Sequence, residues 1–260
     1  MEYLVVCLIA LMVSALTLFS GFGLGTVLMP AFALFFPVPI AIAATALIHL
    51  ANNLFKVYLV GRDADWGVVI RFALPGAVAA LVGAALLHFF SDLTPLTTYS
   101  LFGGIHQVTT VNAVIGSLII VFSFFELVPR LRQLAFDSRH LVLGGVLSGF
   151  FGGLSGNQGA LRSAFLIKSG LAKEAFIGTS TVSAVIVDAA RLVVYGLGYY
   201  SSRFIELEGV WPLVLAATLA AFLGAFLGTR LLKKITYGTI QFIVGIMLVG
   251  IGLGMATGLL

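Results

Sequence analysis

The chain has 260 residues, of which 60% are hydrophobic and 9% charged, with a mean hydropathy of +1.15 and a formal net charge of +4. A soluble domain carries about 25% charged residues, so the composition argues against a soluble enzyme. The 30 Gly and 22 Phe fit a polytopic membrane protein instead, in which glycine lets helices approach closely. The single cysteine, Cys7, excludes an intrachain disulfide, a CxxC redox motif and a cysteine metal cage.

At about 20 apolar residues per span, the length holds roughly eight to ten membrane segments and no separate soluble domain. The opening run, residues 1–20, reads as a first membrane helix rather than a cleaved signal: its only charge is Glu2, and a basic n-region is lacking. Segment 1 covers about 3–19, and the break Ser20-Gly21-Phe22-Gly23-Leu24-Gly25 follows. Segment 2, about 26–36, is short and ends at Pro37-Val38-Pro39. Segments 3 (about 40–60) and 4 (about 66–90) flank the loop 61–65, and segment 5 (about 108–128) follows a polar stretch. A basic loop with Arg130, Arg132 and Arg139 then separates two series. In the second come segment 6 (about 140–154), a second Gly-rich break, short segment 7 (about 159–168), and segments 8, 9 and 10 at about 174–198, 209–232 and 237–259.

The two series form a weak internal repeat, residues 1–130 and 131–260. Ala44-Thr45-Ala46 aligns with Gly178-Thr179-Ser180, and the same offset puts Gly25 on Gly159. Trp66 and Gly83 align with Trp211 and Gly228 after extra residues in the second half. Five segments per half is an odd number, so the second half enters the membrane from the opposite side. The expected fold is all-α and polytopic, with two inverted-topology repeats and a short half-helix after a Gly-rich break in each.

Charge placement bears on that expectation. With the 130–139 loop cytoplasmic under the positive-inside rule, Arg62, Arg71, Lys168, Lys173, Arg230, Lys233 and Lys234 fall on the same side. Arg203 alone lies in a loop on the far side, and Lys56, Arg162 and Arg191 lie at membrane depth. Both termini are then periplasmic. The asymmetry also accounts for the basic charge balance without nucleic acid as a partner; the partners expected are the lipid bilayer and a small anion. A homodimer stays open.

Short segments beside Gly interruptions, at matching places in two halves, point to a midplane binding site. The first N–H groups of a helix have no intrahelical partner, and the dipole adds partial positive charge there. Gly21, Gly23 and Gly25 in the first break, and Ser155, Asn157, Gln158 and Gly159 in the second, are therefore candidate substrate contacts. Asn157 and Gln158 offer amide donors, and Arg162 offers a planar fork suited to an oxyanion. The alternative is that the glycines serve helix packing alone and Arg162 pairs structurally or snorkels.

Segment 3 carries Thr45, His49, Asn52 and Lys56 at helical spacing on one face, with Asn53 beside them. Segment 8 carries Thr179, Ser180, Thr181, Ser183, Asp188 and Arg191; Asp188 and Arg191 stand at i, i+3 and can pair. Thr45, Thr179 and Ser180 are candidate substrate contacts. His49, Asn52, Asn53, Lys56, Asp188 and Arg191 are candidates for coupling or gating, because ionisable residues at membrane depth are costly without a role. A structural ion pair between the halves is the alternative. His49, His88, His106 and His140 are scattered without metal-ligand spacing, and no Walker A motif, nucleophile elbow or kinase set is present. No cofactor, metal or enzymatic activity is expected.

Gly21-Phe22-Gly23-Leu24-Gly25 with Pro30, followed in the second half by Gly149, Gly152-Gly153-Leu154-Ser155-Gly156 and Gly178-Thr179-Ser180, resembles the TauE/SafE sulfite exporter family of bacterial membrane transporters. The resemblance covers nearly the whole chain. It implies export or uptake of a small sulfur-containing or organic anion such as sulfite, sulfoacetate or another sulfonate, and the expected function is a secondary transporter that exports such an anion across the bacterial inner membrane. An anion channel using the same Gly-lined basic site is the rival. The chain departs from the common pattern at Asn157-Gln158-Gly159, where glycines often run, at Ala164, where proline is expected, and at Arg162 within the half-helix. These departures point to a subgroup with a different anion.

Overall fold

The computed structural model describes residues 2–20, 24–101, 103–197, 210–231 and 237–260. Helices dominate them: α1 (Glu2–Ser20), α2 (Leu24–Ala33), α3 (Val38–Val60), α4 (Trp66–Ser91), α5 (Thr110–Leu127), the short α6 (Pro129–Arg132), α7 (Leu141–Ser155), α8 (Gly159–Leu166), α9 (Lys173–Tyr195), α10 (Trp211–Leu231) and α11 (Tyr237–Ala256). Among the described residues, four stretches are long and apolar enough to cross a membrane: Val38–Asp63, Trp66–Ser91, Lys173–Tyr195 and Trp211–Gly228. The protein is therefore a helical membrane protein.

Local chemistry explains the element ends. Pro37 precedes α3 and Pro39 occupies its first turn, where the missing N–H costs nothing. Asp65 caps α4 by accepting the Val68 N–H at 2.9 Å, and Thr109 caps α5 by accepting that of Asn112 at 3.1 Å. Helix α7 stops at Gly156, whose φ of +81° is left-handed and suits glycine. Gly152 and Gly153 are helical, so the second break is only residues 156–158. Of the first break, Gly21 and Gly23 lie outside the described residues, and Gly25 is the second residue of α2. Helices α2 and α8 have 10 and 8 residues. At 1.5 Å rise they reach about 15 and 12 Å, half a hydrocarbon core or less.

Close backbone approach sets the helix packing. Helix α7 lies parallel to α4 with Gly145, Gly149 and Gly153 on the carbonyls of Phe72, Gly76 and Ala80; a Cβ at Gly149 would stand 2.0 Å from the Gly76 oxygen. Helix α10 lies parallel to α1 in the same manner, Gly224 and Gly228 meeting the carbonyls of Leu11 and Ala15. Helices α3 and α9 pack together at the centre, and α5 runs antiparallel to α11.

The polar stretch before α5 folds into a hairpin that the apolar segmentation does not reveal, β1 (Thr97–Leu101) and β2 (Gly104–Val108), with Thr97 opposite Val108. Its β-branched and aromatic residues and Gly103 at φ +80° suit a tight antiparallel turn. The hairpin docks on the C-terminus, where the Tyr99 hydroxyl donates to the Thr257 carbonyl at 2.7 Å. At another end relationship, Phe136 donates its N–H to the Ala164 carbonyl at 2.9 Å and stacks on Phe165. The loop 61–65 meets the start of α9, where Gly178 abuts the Val60 carbonyl.

Candidate functional site

The polar centre of the bundle forms around Asp188, fully buried on α9. Arg191, three residues on, brings Nη2 to 2.7 Å from Asp188 Oδ1, as the i, i+3 spacing allows. Gln158 Nε2 donates to the same oxygen at 2.8 Å. On the other side, His49 Nδ1 stands 2.6 Å from Oδ2, and Asn53 Nδ2 donates to that oxygen at 3.1 Å. An ionised carboxylate only accepts, so His49 Nδ1 is the donor in that state. Helix α3, helix α9 and the break before α8 thus meet on one carboxylate. Three hydrogen-bond donors and the Arg191 ion pair offset the cost of burying it.

Arg191 also reaches the end of α7. Its Nη1 donates to the Gly152 carbonyl at 3.0 Å, and the Tyr195 hydroxyl donates to that of Gly153. Both carbonyls belong to a helix C-terminus, where cations and donors are favoured. Ser148 Oγ donates to the Gln158 carbonyl at 2.9 Å and steadies the break from the other side. Neither Tyr195 nor Ser148 is among the candidates that the sequence offers. Tyr195 had a readable signal, standing one turn beyond Arg191 on the same face.

Arg162, buried on α8, donates from Nε to Ser180 Oγ at 2.9 Å. Its charge acts on Asp188 and His49, and on Lys56, which is buried on α3. Among the described residues, the buried charged side chains are therefore Lys56, Arg162 and Arg191 against Asp188, with His49 beside them. A region with more cations than carboxylates favours a ligand of negative charge.

The other candidates divide. Asn53 joins the carboxylate although it stands beside the face counted from Thr45. Asn52 instead faces α1, where Ser14 Oγ donates to its Oδ1 at 3.1 Å. Thr179 Oγ1 accepts the Asp65 N–H at 2.9 Å, near the end of the bundle. Thr45 is buried on α3, with no hydrogen-bond partner for its hydroxyl. Ser155 Oγ donates to the Phe151 carbonyl at 3.0 Å and accepts from Asn157 Nδ2 at 3.2 Å. Gly159 opens α8. The side-chain amides of Asn157 and Gln158, candidate donors to a ligand, each give one N–H within the protein, to Ser155 and to Asp188. Their oxygens are buried without hydrogen-bond partners. Among the described residues no three His, Cys, Asp or Glu side chains cluster as a metal site would require.

A family model described as "Sulfite exporter TauE/SafE" matches residues 6–255. The comparisons with curated proteins and with solved structures give no significant match. The family match takes in both short helices, the break at 156–158 and the buried carboxylate, and the chain belongs to the sulfite exporter TauE/SafE family of membrane transporters.

Proposed function

We propose that the protein is a secondary transporter that exports a small organosulfur or sulfur oxyanion across the bacterial inner membrane, by alternating access at a midplane site beside α2 and α8. The observation that supports this reading is the excess of buried cations over buried carboxylates on α3, α8 and α9, where Lys56, Arg162 and Arg191 stand against Asp188. Arg162 and Lys56 attract the anion, and the N-termini of α2 and α8 add partial positive charge. Ser180, Thr45, Thr179, Ser155, Asn157, Gln158 and the glycines of both breaks line or shape the path. His49, Asn52, Asn53, Asp188 and Arg191 couple the halves or gate them.

The inverted repeat is part of this reading, with α1–α5 equivalent to α7–α11. Its support lies in the pairing of helices. Exchanging the halves turns the α4–α7 contact into α10–α1, and both are parallel pairs seated on glycines four residues apart. The same exchange returns α3–α9 and α5–α11 to themselves. In this reading both termini are periplasmic and the 130–139 loop is cytoplasmic. Exit of an anion is then favoured by the membrane potential, by about 2.3 kcal/mol per charge per 100 mV.

Reconstitution tests the proposal. Liposomes containing the protein should take up labelled sulfite or sulfoacetate with saturating kinetics, and internal unlabelled anion should accelerate uptake by exchange. Flux that rises linearly with concentration and shows no counterflow would identify a channel instead.

A further inference from the structure

We infer that the anion taken by this site also carries a hydrogen-bond donor, an O–H or N–H group near its charged head, and that Asn157 Oδ1 and Gln158 Oε1 accept from it. The inference rests on the anion-transport reading and narrows its substrate class.

Neighbouring groups fix which end of each amide is engaged. Asp188 Oδ1 can only accept from Gln158 when ionised, so the 2.8 Å contact assigns the Gln158 nitrogen and leaves its oxygen as the other end. Ser155 Oγ spends its single proton on the Phe151 carbonyl at 3.0 Å. Toward Asn157 it therefore only accepts, at 3.2 Å from Nδ2 and 3.4 Å from the backbone nitrogen. Both amide orientations follow from neighbours, and both oxygens remain without hydrogen-bond partners, shielded within the protein. Asn157 and Gln158 are 3% and 1% exposed, so bulk water does not solvate them.

Two buried acceptors on consecutive residues ask for donors. A bare oxyanion has none to give, and its oxygens would repel them. The two residues stand just before α8, and Gln158, its N-cap, precedes Arg162 by four residues, about one helical turn. A ligand with its charge toward Arg162 and a hydroxyl or amine toward the break satisfies both ends. A bound metal cation would also suit two amide oxygens, but Arg162 and Arg191 both act on the single buried carboxylate, and Lys56 is buried on α3 as well, so the charge of the interior favours a ligand that is negative overall. Thr45 Oγ1 and Ser183 Oγ, also buried without partners, do not discriminate, because a hydroxyl serves as donor or acceptor.

Ethanesulfonate and 2-hydroxyethanesulfonate differ by one hydroxyl and test the inference. Titration calorimetry on the full chain in lipid nanodiscs should give at least about tenfold tighter binding of the hydroxylated anion, the scale of one buried acceptor gaining its donor. Asn157→Leu and, separately, Gln158→Met should shrink that ratio toward one. Equal affinity for the two anions in the unsubstituted protein overturns the inference while the anion-transport reading stands. A preference that survives both substitutions overturns the assignment to these oxygens. Binding of neither anion, nor of sulfite or sulfoacetate, overturns the inference together with the transport reading.

Discussion

His49 and Asp188, 139 positions apart, hold each other at 2.6 Å across the α3–α9 contact at the centre of the bundle. The same carboxylate binds Asn53, Gln158 and Arg191, so one side chain ties two long helices to the broken element between them. A group held from four directions suits a joint better than a freely titrating carrier. The first prediction follows from that difference.

Asp188→Asn keeps the shape and removes the charge. It should lower thermal stability and every mode of anion flux together, because it strands Arg191 in a buried site; breaking such a pair costs about 3–5 kcal/mol. Thermal unfolding in detergent and flux in liposomes, with and without a pH gradient, measure this. A variant of unchanged stability that retains exchange but loses gradient-driven flux would make Asp188 a proton carrier instead.

Arg162→Lys keeps the charge and removes the planar fork, along with the Nε donor to Ser180. Anion affinity should fall by about 1–3 kcal/mol while yield and monodispersity stay near wild type. Unchanged affinity with poor folding would make Arg162 a packing residue between α8 and α9. Ser180→Ala is the companion variant, and its effect should be smaller, since it removes only one hydrogen bond.

Gly149→Leu should damage the protein more than a leucine at the exposed position Val142 of the same helix. The Gly149 Cβ would meet the Gly76 carbonyl at 2.0 Å, and backbone cannot yield as a side chain can. The expected reading is a large drop in melting temperature or loss of monodisperse protein. Normal stability would mean that α4 and α7 separate at little cost.

Cysteines placed at Arg139 and at Ile105, in a chain with Cys7 replaced by Ala, should react with an impermeant thiol reagent from opposite sides of the membrane. Arg139 belongs to the basic loop, and Ile105 lies in the hairpin that docks on the C-terminus. Labelling of both from one side would remove the inverted-repeat assignment.

Much of this architecture is legible in one dimension because apolar runs and their interruptions are local properties. The hydrocarbon core admits few charges, so Lys56, Arg162, Asp188 and Arg191 stand out from their apolar neighbours without any coordinates. The Asp188–Arg191 pair is a matter of helical spacing, and the brevity of α2 and α8 follows from Gly and Pro nearby. The hairpin of β1 and β2 is less legible, since five-residue strands in a polar stretch leave little periodicity to read.

Which polar groups face one another was decided only in three dimensions. Successive residues on an α-helix differ by about 100° in direction. The spacing of Thr45, His49, Asn52 and Lys56 therefore defines a stripe but not where neighbouring helices divide it. The stripe sits between two partners: α1 takes Asn52 through Ser14, and α9 takes Asn53 and His49 through Asp188. The amides at the break show the same limit. Their types place donors and acceptors at 157 and 158, but an amide offers both, and the end left for a ligand depends on what the protein claims first. Ser155 and Asp188 each take an N–H from one of the nitrogens, a choice made by residues up to 30 positions away, and it leaves both amide oxygens as buried acceptors.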